Sequence, residues 1–142
     1  MSKKKKIIIS AILAIALIIF FGLKEYNKPH VDVVKATPDI IASSEEIINE
    51  FQDNEGLANK KYLDQIVQIS GRISKIEASE NNDIILSLLN DKMTFGTVIC
   101  HLTSDENKKL INLKVGQNIV VKGICTGYLM DVILIRCNLV KI

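Results

Sequence analysis

The sequence predicts a mostly β fold: a five-stranded OB-type Greek-key barrel with an N-terminal packing helix, a short helix between strands three and four, and one transmembrane helix in front. Three observations carry that reading. From Leu63 onward, five separated segments are apolar with a period of two. A capped, helix-like segment stands between the third and the fourth. "MSKKKK" is followed by an unbroken apolar run from Ile7 to Leu23.

That run comes first in order. At about 1.5 Å per helical residue it spans roughly 25 Å, close to the hydrocarbon thickness of a bilayer. A buried core helix is not expected, because the run is apolar on every face. Cleavage of a signal peptide requires small residues before the cut, yet the run ends "FFGLKEY" with Phe20 and Phe21 there. No cysteine stands near its end to accept a lipid. The expectation is an uncleaved signal anchor. Lys3 to Lys6 would stay in the cytoplasm and the remainder would lie outside it. Residues 1–23 thus read as lysine run and anchor, 24–42 as a linker with two prolines, and 43–142 as a helix plus OB domain.

The charge divides in the same way. Four of the 18 basic residues lie in the lysine run and all 16 acids lie beyond the anchor, so the exported part carries about −2. A non-specific nucleic-acid binder normally shows a clustered positive excess, so the composition argues against nucleic acid as a partner.

Ser43 and Glu46 fit a capping box. Ile47, Ile48, Phe51 and Ala58 then recur at helical spacing and predict one helix, which Gly56 weakens near its end. "DQIVQISGRISKIE" is the first strand, with Val67, Ile69, Gly71 and Ile73 on one face. "SENND" (Ser79 to Asp83) is a turn. "IILSLL" (Ile84 to Leu89) is the second strand and Thr94 to Leu102 the third, separated by "NDKM". "TSDENKKLINL" runs from acidic to basic and reads as the short helix. "NIVVKGICTGY" and "DVILIRCNLVKI" are the fourth and fifth strands.

These residues resemble a known family. "SSEEIINEFQDNEGLANKKYLDQIVQISGRISKI", through Asn54-Glu55, Ala58, Tyr62 and the strand "ISGRI", is similar to the opening of the tRNA-anticodon-like OB-fold family of bacterial exported and membrane-anchored proteins. "VKGICTGYLMDVILIRCNLV" resembles its closing hairpin. The resemblance runs from about Ser43 to Val140. It implies an OB barrel packed on an N-terminal helix behind an export signal, and it implies no reaction.

Site candidates follow from facing. Alternation puts Cys100 beside Val98 and Leu102, Cys125 beside Ile119 and Val121, and Cys137 beside Ile133, Ile135 and Leu139, so all three thiols face inward. They serve either as small core residues or, outside the cytoplasm, as a disulfide, for which Cys125 with Cys137 is the preferred pair. A metal site is not expected. There is no C-x-x-C, and Cys100 and His101 are strand neighbours that point to opposite faces. The same geometry denies Cys100 a base, so no catalytic residue is assigned. Glu45, Glu46, Glu50, Asp53 and Glu55 read as a solvated helix face.

Asn54, three residues after Phe51 and four before Ala58, is expected to turn toward the barrel. It would be either a buried amide or, with Tyr62, the lining of a pocket between helix and barrel. Arg72 on the outer face of the first strand, Phe95 near that face in the third and Tyr128 in the last hairpin loop complete the candidate binding set. One arginine and so few rings make a poor single-strand platform. The expectation is a non-enzymatic, cofactor-free binding or assembly module at the bacterial envelope. The membrane would hold it through residues 7–23, and its partner would be an unknown envelope protein or small ligand. Single-stranded nucleic acid or oligosaccharide on the barrel face is the alternative.

Overall fold

The computed structural model describes residues 3–26, 31–79, 83–89, 95–103 and 112–142. The chain divides into two units at Val31–Asp32. The first holds helix α1, Lys3–Tyr26. Its Lys5–Leu23 segment is long and apolar enough, by length and composition, to cross a membrane.

The second unit runs β1 (Ile40–Ser43), α2 (Ser44–Asp53), α3 (Glu55–Tyr62), β2 (Ile66–Ala78), β3 (Ile84–Leu89), β4 (Val98–Leu102), β5 (Asn118–Leu129) and β6 (Asp131–Lys141). The sheet order is β1-β2-β3-β4-β6-β5, and a further β2–β5 pairing closes the barrel. The five expected strands are β2 to β6. Strand β2 closes the barrel by changing partners: it pairs with β5 from Ile66 to Arg72 and with β3 from Arg72 to Ala78.

Three features depart from the sequence reading. First, the segment read as linker up to residue 42 carries structure at both ends. Helix α1 continues to Tyr26, and β1 pairs in parallel with Val67–Ser70 of β2. Strand β1 thereby covers the β2 edge that β3 reaches only from Arg72 onward, and a bare edge would invite pairing with another chain. Asp39 completes the join, because its carboxylate accepts from Ile66 N–H at 2.9 Å. Val33 is buried, and the Val34 and Ala36 carbonyls accept from Lys122 Nζ at 3.1 and 2.6 Å. That ammonium is on a residue only 8% exposed, so backbone carbonyls replace its water.

Second, the single predicted helix is two helices. The Ser43 hydroxyl caps α2 by accepting from Glu46 N–H at 3.1 Å, as the capping box requires. The helix then ends at Asp53. Extended Asn54 (φ −157°) starts α3 by accepting from Leu57 N–H on its side-chain oxygen.

Third, the inward face of β6 begins with Val132 and Leu134, not Ile133 and Ile135. A bulge then intervenes. Cys100 pairs with Leu134 but Leu102 with Cys137, so three steps on β6 answer two on β4. Arg136, at φ +52°, is placed to absorb the extra residue. The phase therefore flips, and Cys137 and Leu139 face the core as expected.

Ile47, Ile48 and Phe51 of α2 and Ala58 and Tyr62 of α3 pack on Val67, Ile69, Ile73, Leu86, Leu88, Val98 and Leu134 of the barrel. Each large side chain buried there contributes about 1.5–3 kcal/mol. The short helix expected in "TSDENKKLINL" and the turn "NDKM" fall on residues 104–111 and 90–94, outside the described residues, as do 80–82 of the "SENND" turn.

Candidate functional site

Arg72 occupies a particular point in the barrel. It pairs with Asn118 of β5 and with Leu89 of β3, where β2 passes from one partner to the other. A cavity of about 470 Å³ opens there, lined by Arg72, Leu89 and Asn118 together with Ser43, Ser44 and Glu45 at the start of α2, Ser70 and Gly71, Ile119 and Val120, and Lys141 and Ile142. Its size is that of a small-molecule site.

Its floor is set by close approach. The Ser44 hydroxyl donates to the Leu89 carbonyl at 2.7 Å and ties α2 to β3. A Cβ on Gly71 would lie 2.8 Å from Ser44 Oγ and 3.1 Å from Leu88 Cβ, so only glycine lets helix and barrel come this near. The rim bears the cations of Arg72 and Lys141, the carboxylate of Glu45, the last residue Ile142, and the neutral polar groups of Ser70 and Asn118.

Of the five expected binding residues, only Arg72 lines this cavity. Asn54 is exposed and does not turn toward the barrel, because the helix break resets the helical phase on which that expectation rested. Its side-chain oxygen accepts from a backbone N–H as a cap joining two helices. It borders a smaller hollow of about 260 Å³ with Glu50, Asp53, Leu57, Ala58 and Lys61. There Lys61 Nζ lies 2.8 Å from a Glu50 carboxylate oxygen, which holds the ammonium well above its ordinary range.

Tyr62 is fully buried and packs α3 onto the barrel. Its ring stacks on Phe51 at 5.8 Å, and Phe51 stacks in turn on Tyr128 at 5.3 Å. Burial pushes the Tyr62 phenol up. Tyr128 is therefore half-buried against Phe51 instead of presenting a free ring. Phe95 is 92% exposed and does not line the cavity. Gly96 beside it abuts the Met130 carbonyl, and Leu129 and Met130 of the hairpin tip are 81% and 79% exposed. Its carbonyl accepts from the Gln52 amide. The five residues therefore form no common surface. Sequence reasoning missed Asn118 and Lys141, which only the register of β5 against β2 and of β6 against β5 brings to Arg72.

The three cysteines are free, buried thiols, and Cys125 and Cys137 are not bridged. The register gives the reason. Cys125 lies opposite Leu134, while Cys137 lies beside Gly123, whose added Cβ would meet Cys137 Sγ at 2.5 Å. Burial pushes the Cys125 thiol up, with the Gly127 backbone and Asp64 as its neighbours. Burial pushes Cys137 up as well, with Cys100 as the neighbour that adds to it. Cys100 is buried and His101 half-buried, in keeping with opposite faces. Among the described residues no group of three or more His, Cys, Asp and Glu is placed to hold a metal.

Comparison with known proteins agrees with this architecture. The model of the tRNA_anti-like family matches residues 1–139, a span that includes the apolar helix as well as the barrel. The chain is similar to a solved structure from Klebsiella pneumoniae, named as a "putative nucleic acid-binding lipoprotein", with 17% identity and a TM-score of 0.59 over 80% of this chain and 100% of that one. At that identity the likeness establishes the fold. A weaker likeness, with 13% identity and a TM-score of 0.46, covers 84% of this chain and 25% of a "putative aspartyl-tRNA synthetase" from Leishmania major. No curated protein matches.

Proposed function

This chain belongs to the tRNA_anti-like family, and from that membership we propose that it is a membrane-anchored, non-enzymatic binding module of the cell envelope. Helix α1 is the anchor, Lys3 to Lys6 stay in the cytoplasm, and the barrel unit is held outside it. The observation that carries the binding role is the cavity at Arg72. It is built on rigid elements, the N-terminal end of α2 against β2, β3 and the ends of β5 and β6. Its ligand is a small polar molecule, or a short stretch of a polymer, with an anionic group against Arg72 and Lys141 and hydrogen-bonding groups toward Ser70, Asn118 and Glu45.

A second reading is supported by the name of the Klebsiella pneumoniae protein: single-stranded nucleic acid along the barrel. The covered face of Tyr128 and the net negative charge beyond the anchor weigh against it. Oligosaccharide on the barrel face fits the first reading as one polymer type.

The test is equilibrium binding of a single-stranded oligonucleotide, an anionic oligosaccharide and an acidic peptide to the detergent-solubilised chain, with Arg72→Ala alongside. The proposal expects one anionic probe to bind and to lose tenfold or more in affinity with Arg72→Ala, about 1.4 kcal/mol. Binding unaffected by Arg72→Ala would move the site elsewhere. Nucleic-acid binding that weakens steeply with salt would favour the second reading.

A further inference from the structure

The sulfur chemistry of the barrel is not used by the cavity, and it has its own geometry. Cys100 on β4 and Cys137 on β6 lie on neighbouring parallel strands, one pleat apart along the register: Cys100 pairs with Leu134 and Leu102 with Cys137. Without the bulge at Arg136, alternation from Leu134 would bring residue 136 inward and turn residue 137 out. The bulge reverses this and delivers Cys137 to the face that Cys100 occupies. Space for the sulfur is provided by Gly123, where any side chain would collide with Cys137 Sγ. Cys100 is among the groups that push the Cys137 thiol up, whereas the neighbours of Cys125 are the Gly127 backbone and Asp64.

We propose that Cys100 and Cys137 are a disulfide site that staples β4 to β6 when the barrel folds in an oxidising compartment, and that Cys125 remains a thiol. This rests on the reading that the barrel unit lies outside the cytoplasm. In the reaction the two S–H bonds break and one S–S bond forms. The two electrons and two protons pass to a disulfide-bearing exchange partner, which leaves as two thiols. Both sulfurs are fully buried in the finished barrel, so the exchange takes place before β4 and β6 pair. A reduced barrel, once folded, is shielded from reagents. The bridge joins sheet neighbours that are not consecutive in the chain, so it removes loop freedom from the unfolded chain and holds β4 to β6.

The experiment uses the full chain from membranes of the producing cell. Free thiols are trapped with N-ethylmaleimide in denaturant, and the chain is digested without reductant and weighed. The expected result is a linked peptide pair containing Cys100 and Cys137, two hydrogens lighter than the dithiol, with the maleimide on Cys125. Cys125→Ser should keep the link. Cys100→Ser should leave Cys137 carrying maleimide, and because trapping is done in denaturant this holds whether or not the variant folds. A link that includes Cys125 overturns the pairing. Refolding the full chain in detergent with glutathione and its disulfide separates geometry from location. A Cys100–Cys137 link there, with three maleimides on the cellular protein, keeps the site and overturns the compartment reading. Three maleimides in both overturn the site.

Discussion

Gly123 has no room for a side chain: a Cβ would stand 2.5 Å from Cys137 Sγ and 3.1 Å from the Ile135 carbonyl. Gly123→Ala should therefore destabilise the barrel by about 1–3 kcal/mol through overpacking. Adding Cys137→Ala removes the nearer obstacle, so the double variant in reduced protein should lose less than the sum of the two singles, measured by denaturant unfolding. Asn54 calls for a different expectation. Its side chain caps α3 and faces solvent, so Asn54→Ala should cost about 1 kcal/mol, within the usual range for a lost N-cap. It should leave any ligand affinity at Arg72 unchanged. The thiols add a pH dependence. Burial raises Cys125 and Cys137 in the folded state above the ordinary value of 9.0. Their stabilisation is then complete below that value and is lost as pH rises through it toward the folded value. Reduced protein should lose stability from about pH 9 upward, by at most about 1.4 kcal/mol per pH unit for each thiol. Oxidised protein should lack the Cys137 share, which a comparison of unfolding midpoints with and without reductant checks.

At the scale of elements, the segment before α2 is part of the barrel unit. It supplies β1 to the edge of β2, the Asp39 carboxylate to Ile66 and two carbonyls to Lys122. A chain beginning at Asp32 should fold with a cooperative transition. One beginning at Ser43, the boundary that the helical cap alone suggests, should be severely destabilised or fail to fold, because Lys122 loses both carbonyl partners and β2 loses its edge cover. Circular dichroism melts of the two chains decide this. The same elements show what was legible in the sequence. Alternating patterns gave β2, β4 and β5 their inward faces correctly, most clearly in β2, where Gln68, Ser70, Arg72 and Ser74 mark the outer side. In "DVILIRCNLV" the residues from Val132 to Ile135 are all apolar, so nothing marks the phase there, and the bulge at Arg136 has no local signature. Four-residue β1 follows a proline-bearing stretch and has no period to read. The break between α2 and α3 falls at Asn54, a good cap, but its helical neighbours hide it.

For the whole molecule, the order of strands and the anchor were readable because they rest on long patterns, while the site was not. Arg72, Asn118 and Lys141 lie far apart in sequence and meet only because β2 exchanges β5 for β3 at Arg72. Phe95 and Tyr128, read as aromatic candidates for the same surface, belong to the exposed segment before β4 and to the Phe51 stack. Binding at the Arg72 cavity is therefore the central claim. It is tested most directly by recording amide nuclear magnetic resonance shifts of the Asp32–Ile142 unit while adding the anionic probe that binds the full chain. The account predicts perturbations concentrated on Ser70, Gly71, Arg72, Asn118 and Lys141, with Phe95, Leu129 and Met130 silent. Perturbations confined to Phe95, Leu129 and Met130, with Arg72 and Asn118 unmoved, would contradict it.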